Sequence, residues 1–262
     1  MNSFWREIRE SLRHPEFWAI SSWLDIVVKH RKSSFGVLWL FMPSIIYVWG
    51  MGYYFAVAQG KTMAEFSVHV ALGSMIFKTL MSSIVESTNV FGGNQSFIMD
   101  GHMRLTDYLL EALAKSFFYS CTYIPVTVIA LLIFPHLDLH GLLWMPLALV
   151  VVYLNALWIT VVFSLVGARF PDFGQFMGNT SIFLFLLTPI IWYPDQMPAD
   201  SLRGQLMRFN PFYHLVTVFR APILGEHVET FSLYYIGVMT VLGLALATFL
   251  YRRYARFVPL WI

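Results

Sequence analysis

Long apolar runs separated by short polar connections dominate the hydrophobic pattern of this chain. Six of them reach or approach the roughly 20 residues that a helix needs to cross a bilayer. They are residues 36–58, 66–88, 109–134, 142–167, 176–193 and 231–251. The fifth run is short and ends in TPIIWYP, which predicts a break or a tilt there. The pattern therefore predicts an all-α integral membrane protein with six transmembrane helices, forming one domain over residues 1–262.

The polar segment before the first run, residues 1–34, contains one stretch with helical periodicity. Residues 15–28, PEFWAISSWLDIVV, begin at a proline, which suits a first helical turn, and place Trp18 and Trp23 beside an apolar face. That face consists of Phe17, Ile20, Leu24 and Val27. Because Lys and Arg flank the stretch, it is predicted to form a helix in the cytoplasmic membrane interface. A helix packed on a soluble partner is the alternative.

The connection before the last run, residues 194–230, is punctuated by prolines at positions 194, 198, 211 and 222. It is predicted to form two short helices, near 199–209 and 211–221. The apolar face of the second consists of Phe212, Leu215, Val216 and Phe219. Backbone that enters a bilayer must be helical or covered by protein, because unpaired amides there are costly. The segment therefore suits two re-entrant helices at the outer boundary.

Composition supports a membrane protein, and charge predicts its orientation. Apolar residues make up 58% of the chain and charged residues 12%, against roughly 25% charged in soluble domains; the mean hydropathy is +0.63. Of the 17 Lys and Arg residues, 12 lie on the face that holds both termini, four on the opposite face and one within a span. Since Lys and Arg concentrate on the cytoplasmic side, both termini are predicted to face the cytoplasm.

The common catalytic and nucleotide-binding motifs are absent from the sequence. Gly60-Lys61-Thr62 lacks the glycine that a P-loop needs five residues before Gly60, where Phe55 stands. HExxH, GxSxG and paired cysteines do not occur, and the single Cys121 lies in an apolar run. No catalytic residue, metal site or cofactor site is therefore predicted in this chain, and no nucleic-acid partner.

Two ionisable residues lie in the second apolar run. Lys78 falls near the middle of the bilayer, where a lysine costs about 3 kcal/mol on insertion scales. Glu86 follows eight residues later, on roughly the same helical face but too far away for a direct bridge. Because an intramembrane lysine must face protein or water, Lys78 is predicted either to pair with another span or to line a polar channel.

Four stretches, in order along the chain, share one resemblance. The first, VVKHRKSSFGVLWLFMPSIIY, holds an entry signature made of Arg31, Ser33, Gly36, Trp39 and Pro43. The second, GARFPDFGQFMGNTSIFLFLLTPIIWYPDQMP, holds a turn with Arg169 and Asp172, and the others are RFNPFYHLVTVFRAPILG and YRRYARFVPLW. Together they resemble the permease subunits of polysaccharide ABC exporters of the O-antigen type, in the type II exporter class. Pro171, where that family has a second Arg, and Lys78, where an aromatic residue is more usual, depart from its pattern.

The resemblance implies a homodimeric half-transporter in the bacterial inner membrane, each copy docked on a separate cytoplasmic ATPase that binds ATP and magnesium. It implies a coupling segment in residues 89–108, with Asn94, Gln95, Phe97, Met99, Asp100, His102 and Met103. The apolar Phe97, Ile98 and Met99 of this polar, glycine-flanked segment are expected to seat in a groove on the ATPase. A solvated turn with incidental apolar residues is the alternative.

The same resemblance makes the two short helices of residues 194–230 periplasmic gate helices that cap the pore exit. The gate residues implied are Asn210, Pro211, Phe212 and Arg220. The family further suggests a glycan path, because aromatic faces contact sugar C–H faces weakly enough for a polymer to slide past. Its residues are Trp39, Tyr47, Tyr53, Tyr54, Phe55, Phe183, Phe185, Trp192 and Tyr193. An ordinary aromatic belt at the membrane interface is the alternative.

The expected function is export of a lipid-linked polysaccharide, without covalent chemistry in this chain. One alternative is a permease of the same architecture for capsule, teichoic acid or a drug. The other is a membrane enzyme that acts on lipid-linked sugar.

Overall fold

The computed structural model describes residues 4–101, 103–134 and 139–262, and in these ranges the regular structure is entirely helical. The helices, in chain order, are α1 (Phe4–Arg13), α2 (Glu16–His30), α3 (Gly36–Ala56), α4 (Met63–Gly93), α5 (Gln95–Met99), α6 (Leu105–Ile133), α7 (His140–Arg169), α8 (Phe173–Leu187), α9 (Leu202–Phe209), α10 (Pro211–Ile223) and α11 (Thr230–Trp261).

Five of these helices, α3, α4, α6, α7 and α11, are long and apolar enough to cross a membrane. The remaining run, the fifth along the chain, forms α8, which is shorter and ends at Leu187. Residues 188–193 then continue without a regular helix, as the TPIIWYP sequence predicts. The all-helical membrane architecture and the break after the fifth run are confirmed.

Helix α4 is the centre of the bundle. Its most apolar window is 83% buried, whereas the corresponding windows of α3 and α11 are only 17% buried. It packs against α3, α6, α7, α8 and α10. Small residues permit the closest crossings: a Cβ on Gly167 of α7 would lie 2.0 Å from the carbonyl oxygen of Thr88 of α4. The two backbones therefore touch at a point where only glycine fits.

Two spans carry irregular backbone that their prolines explain. Helix α6 is interrupted at Thr122–Tyr123, because Pro125 has no N–H for the Cys121 carbonyl one turn earlier. The Thr122 carbonyl is not left bare, since the Ser44 hydroxyl of α3 donates to it over 3.2 Å. Helix α3 itself contains a π-turn at Ile46–Gly50, a local widening that often occurs at functional sites.

The N-terminal helix α1 packs beneath the bundle, against the end of the last span. The rings of Phe4 and Tyr251 contact each other at a tilt, with centroids 4.9 Å apart, and the Tyr251 hydroxyl donates to Glu7 over 2.7 Å. Both chain ends therefore lie at one end of the bundle, here called the terminal end; α9 and α10 lie at the opposite, distal end. We did not predict α1 from the sequence, although Phe4, Ile8 and Ser11 have helical spacing and are all buried.

The predicted interfacial helix is present as α2, with an apolar face that is divided. Ser22 and Ile26 are buried against α6, and Phe17 meets Tyr108 edge to face with ring centroids 5.4 Å apart. Ile20 and Leu24 remain exposed. One side of α2 thus belongs to the core, while the other is free for lipid or a partner.

Replacing Gly167 by Ala should force α4 and α7 apart and destabilise the protein by about 1–3 kcal/mol, because the added methyl group has no space. The matched control is Gly237→Ala in α11, where nothing lies within 4 Å of a new Cβ. That change should be neutral or stabilising by up to about 1 kcal/mol, since alanine favours the helix. Thermal unfolding of the two purified variants in detergent distinguishes them, and equal melting temperatures would contradict the close crossing.

Candidate functional site

A cavity of about 480 Å³ opens between α3, α4, α6 and α8. Its walls combine aromatic rings, hydroxyls and the two intramembrane ionisable residues. Its main lining residues are Trp39, Pro43, Tyr47, Ser74, Lys78, Ser82, Glu86, Tyr119, Tyr123 and Phe185. The cavity therefore unites residues from four helices that are distant in sequence.

Helical spacing builds two walls of this cavity. On α3, Trp39, Pro43 and Tyr47 follow one another at intervals of four residues. On α4, Ser74, Lys78, Ser82 and Glu86 also recur every four residues, and all four line the cavity. The second helix thus presents a polar stripe to a space whose opposite wall is aromatic.

Lys78 has no ion pair within the part of the chain that the structure describes. Its side chain is exposed to the cavity, and its backbone carbonyl accepts a hydrogen bond from Ser82 over 2.7 Å. Lys78 thus lines the cavity, and it is not paired with another span in the described part of the chain. Glu86, at the terminal end of the stripe, lies within electrostatic range of Lys115, Lys29 and Asp25.

Only three of the nine predicted path aromatics, Trp39, Tyr47 and Phe185, line the cavity. The other six are distributed over the distal part of α3 and the surface of α8 and its continuation. Tyr53, Tyr54 and Phe183 are each more than 60% exposed. Phe55 meets Tyr54 edge to face, Trp192 donates to the Leu186 carbonyl, and Tyr193 contacts the His69 ring. The structure thus does not join the nine residues into one continuous surface within a single chain.

A polar network at the terminal end links three helices. The Lys115 ammonium of α6 lies 2.5 Å from Asp25 of α2 and 2.7 Å from Glu111, one turn earlier on α6. Glu111 is 1% exposed and accepts from the Asn94 amide, over 3.5 Å, at the start of α5. The i, i+4 spacing of Glu111 and Lys115 is visible in the sequence, but we did not predict that Asp25 and Asn94 meet them.

The predicted coupling segment forms the short helix α5 at the terminal end. Phe97 and Met99 are more than half exposed, as a docking surface requires. Ile98 is 8% exposed and belongs to the core of the chain, so our expectation that it also seats on a partner is wrong. Successive side chains of this helical turn point about 100° apart around its axis, which divides the three apolar residues between the core and the surface.

The remaining coupling residues divide in the same way. Gln95 and Asp100 are exposed, whereas Asn94 faces Glu111 and Met103 packs on the same buried cluster as Ile98. His102 lies outside the described residues.

At the distal end, the residues of the Asn-Pro motif hold the unwound continuation of α8. Asn210 caps α10 by accepting from the Phe212 amide over 3.0 Å, and its own amide donates to the Thr188 hydroxyl over 2.9 Å. Arg220 is 1% exposed and donates to the Pro189 carbonyl over 2.7 Å, with His69 of α4 3.1 Å away. The bond from Arg220 satisfies a backbone carbonyl that no longer belongs to a helix, and the bond from Asn210 fixes the side chain that precedes it.

The predicted pair of short helices in residues 194–230 is present as α9 and α10. The four residues of the predicted apolar face of α10 are all buried, but so are Tyr213, His214 and Arg220 on its other sides. Pro211 opens the helix at its first turn, where its missing N–H is harmless. Helix α10 is therefore packed on nearly all sides, and any motion of it must move its neighbours.

The entry signature and the interspan turn are only partly gathered. Gly36 begins α3 with a φ of +53°, a conformation that favours glycine. Trp39 and Pro43 enter the cavity, whereas Arg31 and Ser33 remain in the turn between α2 and α3. Arg169 and Asp172 are exposed beside the α7–α8 turn, and the Arg169 guanidinium lies over the Phe170 ring.

Replacing Lys115 by Met should destabilise the protein by about 3 kcal/mol, because it leaves the buried Glu111 carboxylate without its cation. The double change with Glu111→Gln should recover part of the loss, since no unpaired charge then remains. The surface pair Arg104–Glu10 is the control: both side chains are more than a third exposed, so its removal should cost less than about 1 kcal/mol. Thermal unfolding of the unaltered protein, Lys115→Met, the double variant and the Arg104–Glu10 control tests this. A double variant no more stable than Lys115→Met would argue against the pairing.

His214 should make the stability of the distal end of the bundle sensitive to acid. It lies in α10, which is too short to span, and burial lowers its pKa below the usual 6.5. The folded state then binds the proton less readily than the unfolded state, so the stability contributed by neutral His214 is lost as the pH falls below about 6.5. Between pH 8 and pH 5, His214→Gln should lose less melting temperature than the unaltered protein. The exposed His227→Gln control should follow the unaltered protein, and a parallel course of all three curves would refute the assignment.

In the described residues, no group of three His, Cys, Asp or Glu side chains is placed to hold a metal ion. The cavity and the polar network are therefore the two candidate sites described above.

Two kinds of comparison agree. The chain is 22% identical over 237 residues to the O-antigen export system permease protein RfbA of Klebsiella pneumoniae, covering 88% of this chain and 90% of the relative. It is also 22% identical over 232 residues to the polysialic acid transport protein KpsM of Escherichia coli, covering 87% and 89%. The model of the ABC-2 type transporter family matches residues 4–224, which include the cavity, the polar network and the Asn-Pro motif. The chain belongs to the ABC-2 type transporter family.

Proposed function

We propose that this protein is the membrane-spanning permease subunit of an ATP-driven exporter of a lipid-linked polysaccharide, with O-antigen-type glycans as the favoured cargo. The observation that carries the proposal is the match, over almost the whole length of each chain, to relatives named as exporters of O-antigen and of polysialic acid. The bacterial inner membrane is the proposed location, with the terminal end of the bundle in the cytoplasm. The concentration of Lys and Arg at that end supports this orientation.

The cavity supports a glycan as the cargo. Its aromatic wall, with Trp39, Tyr47 and Phe185, suits the C–H faces of sugar rings, while the polar stripe of α4 offers hydrogen bonds to their hydroxyls. Repeated weak contacts of this kind permit exit as well as entry. Lys78 adds a positive charge, which favours hydroxyl-rich or acidic sugars over an apolar drug.

A second copy of the chain completes the path in this proposal. The two helices beside the cavity, α3 and α8, carry exposed apolar side chains such as Ile46, Tyr53, Ile182 and Phe183. Pairing these faces about a two-fold axis would cover them and bring two cavities together. The three exposed aromatics that lie outside the cavity, Tyr53, Tyr54 and Phe183, would then have a partner surface.

The driving force enters at α5. No nucleotide-binding motif occurs in this chain, so ATP and magnesium are assigned to a separate ATPase subunit, which the exposed Phe97 and Met99 contact. A push on α5 reaches Asn94 and, through Glu111 and Lys115, Asp25 of α2. At the distal end, the bond from Arg220 to the Pro189 carbonyl ties α10 to the end of α8. Movement of α8 therefore reaches the proposed gate.

Two rival functions have distinct signatures. A permease for another cargo would keep every structural feature above and fail only in the identity of the exported molecule. A membrane enzyme would turn over a lipid-linked sugar by itself, without any ATPase.

A deletion strain tests the proposal directly: it should accumulate complete polymer inside the cell and display none outside, and the unaltered gene should restore display.

Phe97→Ala combined with Met99→Ala should lower both recovery of the ATPase with the tagged permease and surface glycan by roughly tenfold, because two side chains lose their buried contact. The matched control is Leu202→Ala with Phe209→Ala, two apolar residues at the distal end that are even more exposed than Phe97 and Met99.

The control pair should leave ATPase recovery unchanged. Unaltered surface glycan in the deletion strain would sink the proposal, as would turnover of lipid-linked sugar by the purified permease alone. Normal ATPase recovery with the α5 double variant would remove α5 as the docking surface while leaving the cargo assignment intact.

A further inference from the structure

A second and larger cavity lies outside the region described above, at the terminal end of the last span. It is a groove of about 1050 Å³ between α11 and the N-terminal helix. Its lining consists of Trp5, Leu244, Ala245, Thr248, Phe249, Arg252, Arg253, Tyr254, Arg256 and Phe257. The groove shares no residue with the cavity of the proposed path.

Three cations converge on the groove, and none of its lining residues in the described part of the chain is a carboxylate. Within the described part of the chain, none of Arg252, Arg253 and Arg256 takes part in an ion pair. The Arg256 guanidinium lies 4.7 Å from the centre of the Phe257 ring, and Arg253 lies 5.8 Å from that of Tyr254. Cation–π contacts of this kind orient a guanidinium without neutralising it. The three charges are therefore available to an anion.

A bend in the backbone brings these residues together. The regular helix ends at Tyr254, a tight turn follows at Ala255–Phe257, and Val258 is buried again in the core. On the other side, Trp5 stands on α1, which Phe4 and Glu7 fasten to Tyr251. Both walls of the groove are thus held in place by packed core residues.

The remainder of the groove is apolar and leads towards the membrane-embedded part of α11. Leu244, Ala245 and Phe249 continue the wall up the span, and Phe249 is 59% exposed. A free inorganic anion would leave this surface uncovered. An amphiphile covers both parts, with its charge at the arginines and its acyl chain along α11.

We propose that this groove is a binding site for an anionic phospholipid of the bilayer, whose headgroup phosphate is held by Arg252, Arg253 and Arg256. Guanidinium groups suit this role because their forked N–H donors match phosphate oxygens. The lipid-linked cargo is a different occupant: its proposed path lies between α3, α4, α6 and α8, and the groove opens on the face of α11. The inference does not depend on the transported molecule and concerns the anchoring of the last span.

The test measures lipid binding to the purified full-length chain in detergent, by native mass spectrometry, without ATPase or cargo. Phosphatidylglycerol should bind more tightly than phosphatidylcholine with the same acyl chains. The triple variant Arg252→Gln, Arg253→Gln, Arg256→Gln should weaken phosphatidylglycerol binding by about tenfold or more, because each arginine near a membrane surface contributes separately to anion attraction. Phosphatidylcholine binding should stay within about twofold.

A variant with the same loss of charge elsewhere separates a built site from general attraction. Arg31→Gln, Arg169→Gln, Arg203→Gln removes three exposed arginines that do not line the groove, and should retain the preference. An equal loss in both triple variants would overturn the proposal, as would equal affinity for the two phospholipids.

Two competitors test the identity of the occupant. Displacement of phosphatidylglycerol by millimolar inorganic phosphate would indicate a simple anion site and refute the lipid. Displacement by an equimolar polyprenyl diphosphate would reassign the groove to the cargo. The contacts with the acyl chain are tested by Phe249→Ala. This change should weaken the binding of both phospholipids equally, since it removes acyl-chain contact and no charge.

Discussion

Backbone that leaves the helix inside a membrane protein must find its hydrogen bonds within the protein, and the arrangement of the distal end follows from this constraint. Helix α8 ends at Leu187, and residues 188–193 continue without a regular helix. Arg220 donates a hydrogen bond to the Pro189 carbonyl, and the Asn210 amide donates one to the Thr188 hydroxyl. Because these donors come from the Asn-Pro cap and the last turn of α10, the short helix must pack inside the bundle, where all of its faces become buried.

The central helix α4 connects this distal seal to the terminal end. Its His69 contacts Arg220, its middle carries the polar stripe of the cavity, and its C-terminal end leads directly into Asn94 and α5. The helix is buried over most of its length and crosses α7 in backbone contact at Gly167. In the proposed transport cycle, α4 can therefore stay in place while α3 and α8 move relative to it.

Much of the architecture is visible in the sequence because lipid imposes simple rules. Apolar runs of about 20 residues must be spans, and prolines in TPIIWYP and in the Asn-Pro motif must interrupt helices. Helical spacing also placed Lys78 and Glu86 on one face, where the structure has them. By contrast, α1 escaped prediction because its apolar residues are few, and the fate of Ile98 depended on which side of α5 met the core.

Length, hydropathy and the position of prolines thus determined by themselves that this chain crosses the membrane in helices, with a break after the fifth run and two short helices before the last. Those features depend on each segment and its solvent, so local sequence suffices. Tertiary structure alone decided that three of nine aromatics share a cavity, that Asp25 meets Lys115 and that Arg252, Arg253 and Arg256 line one groove. Such contacts join residues from different helices, or across a bend in one, and depend on rotation and crossing of packed elements that no single segment encodes.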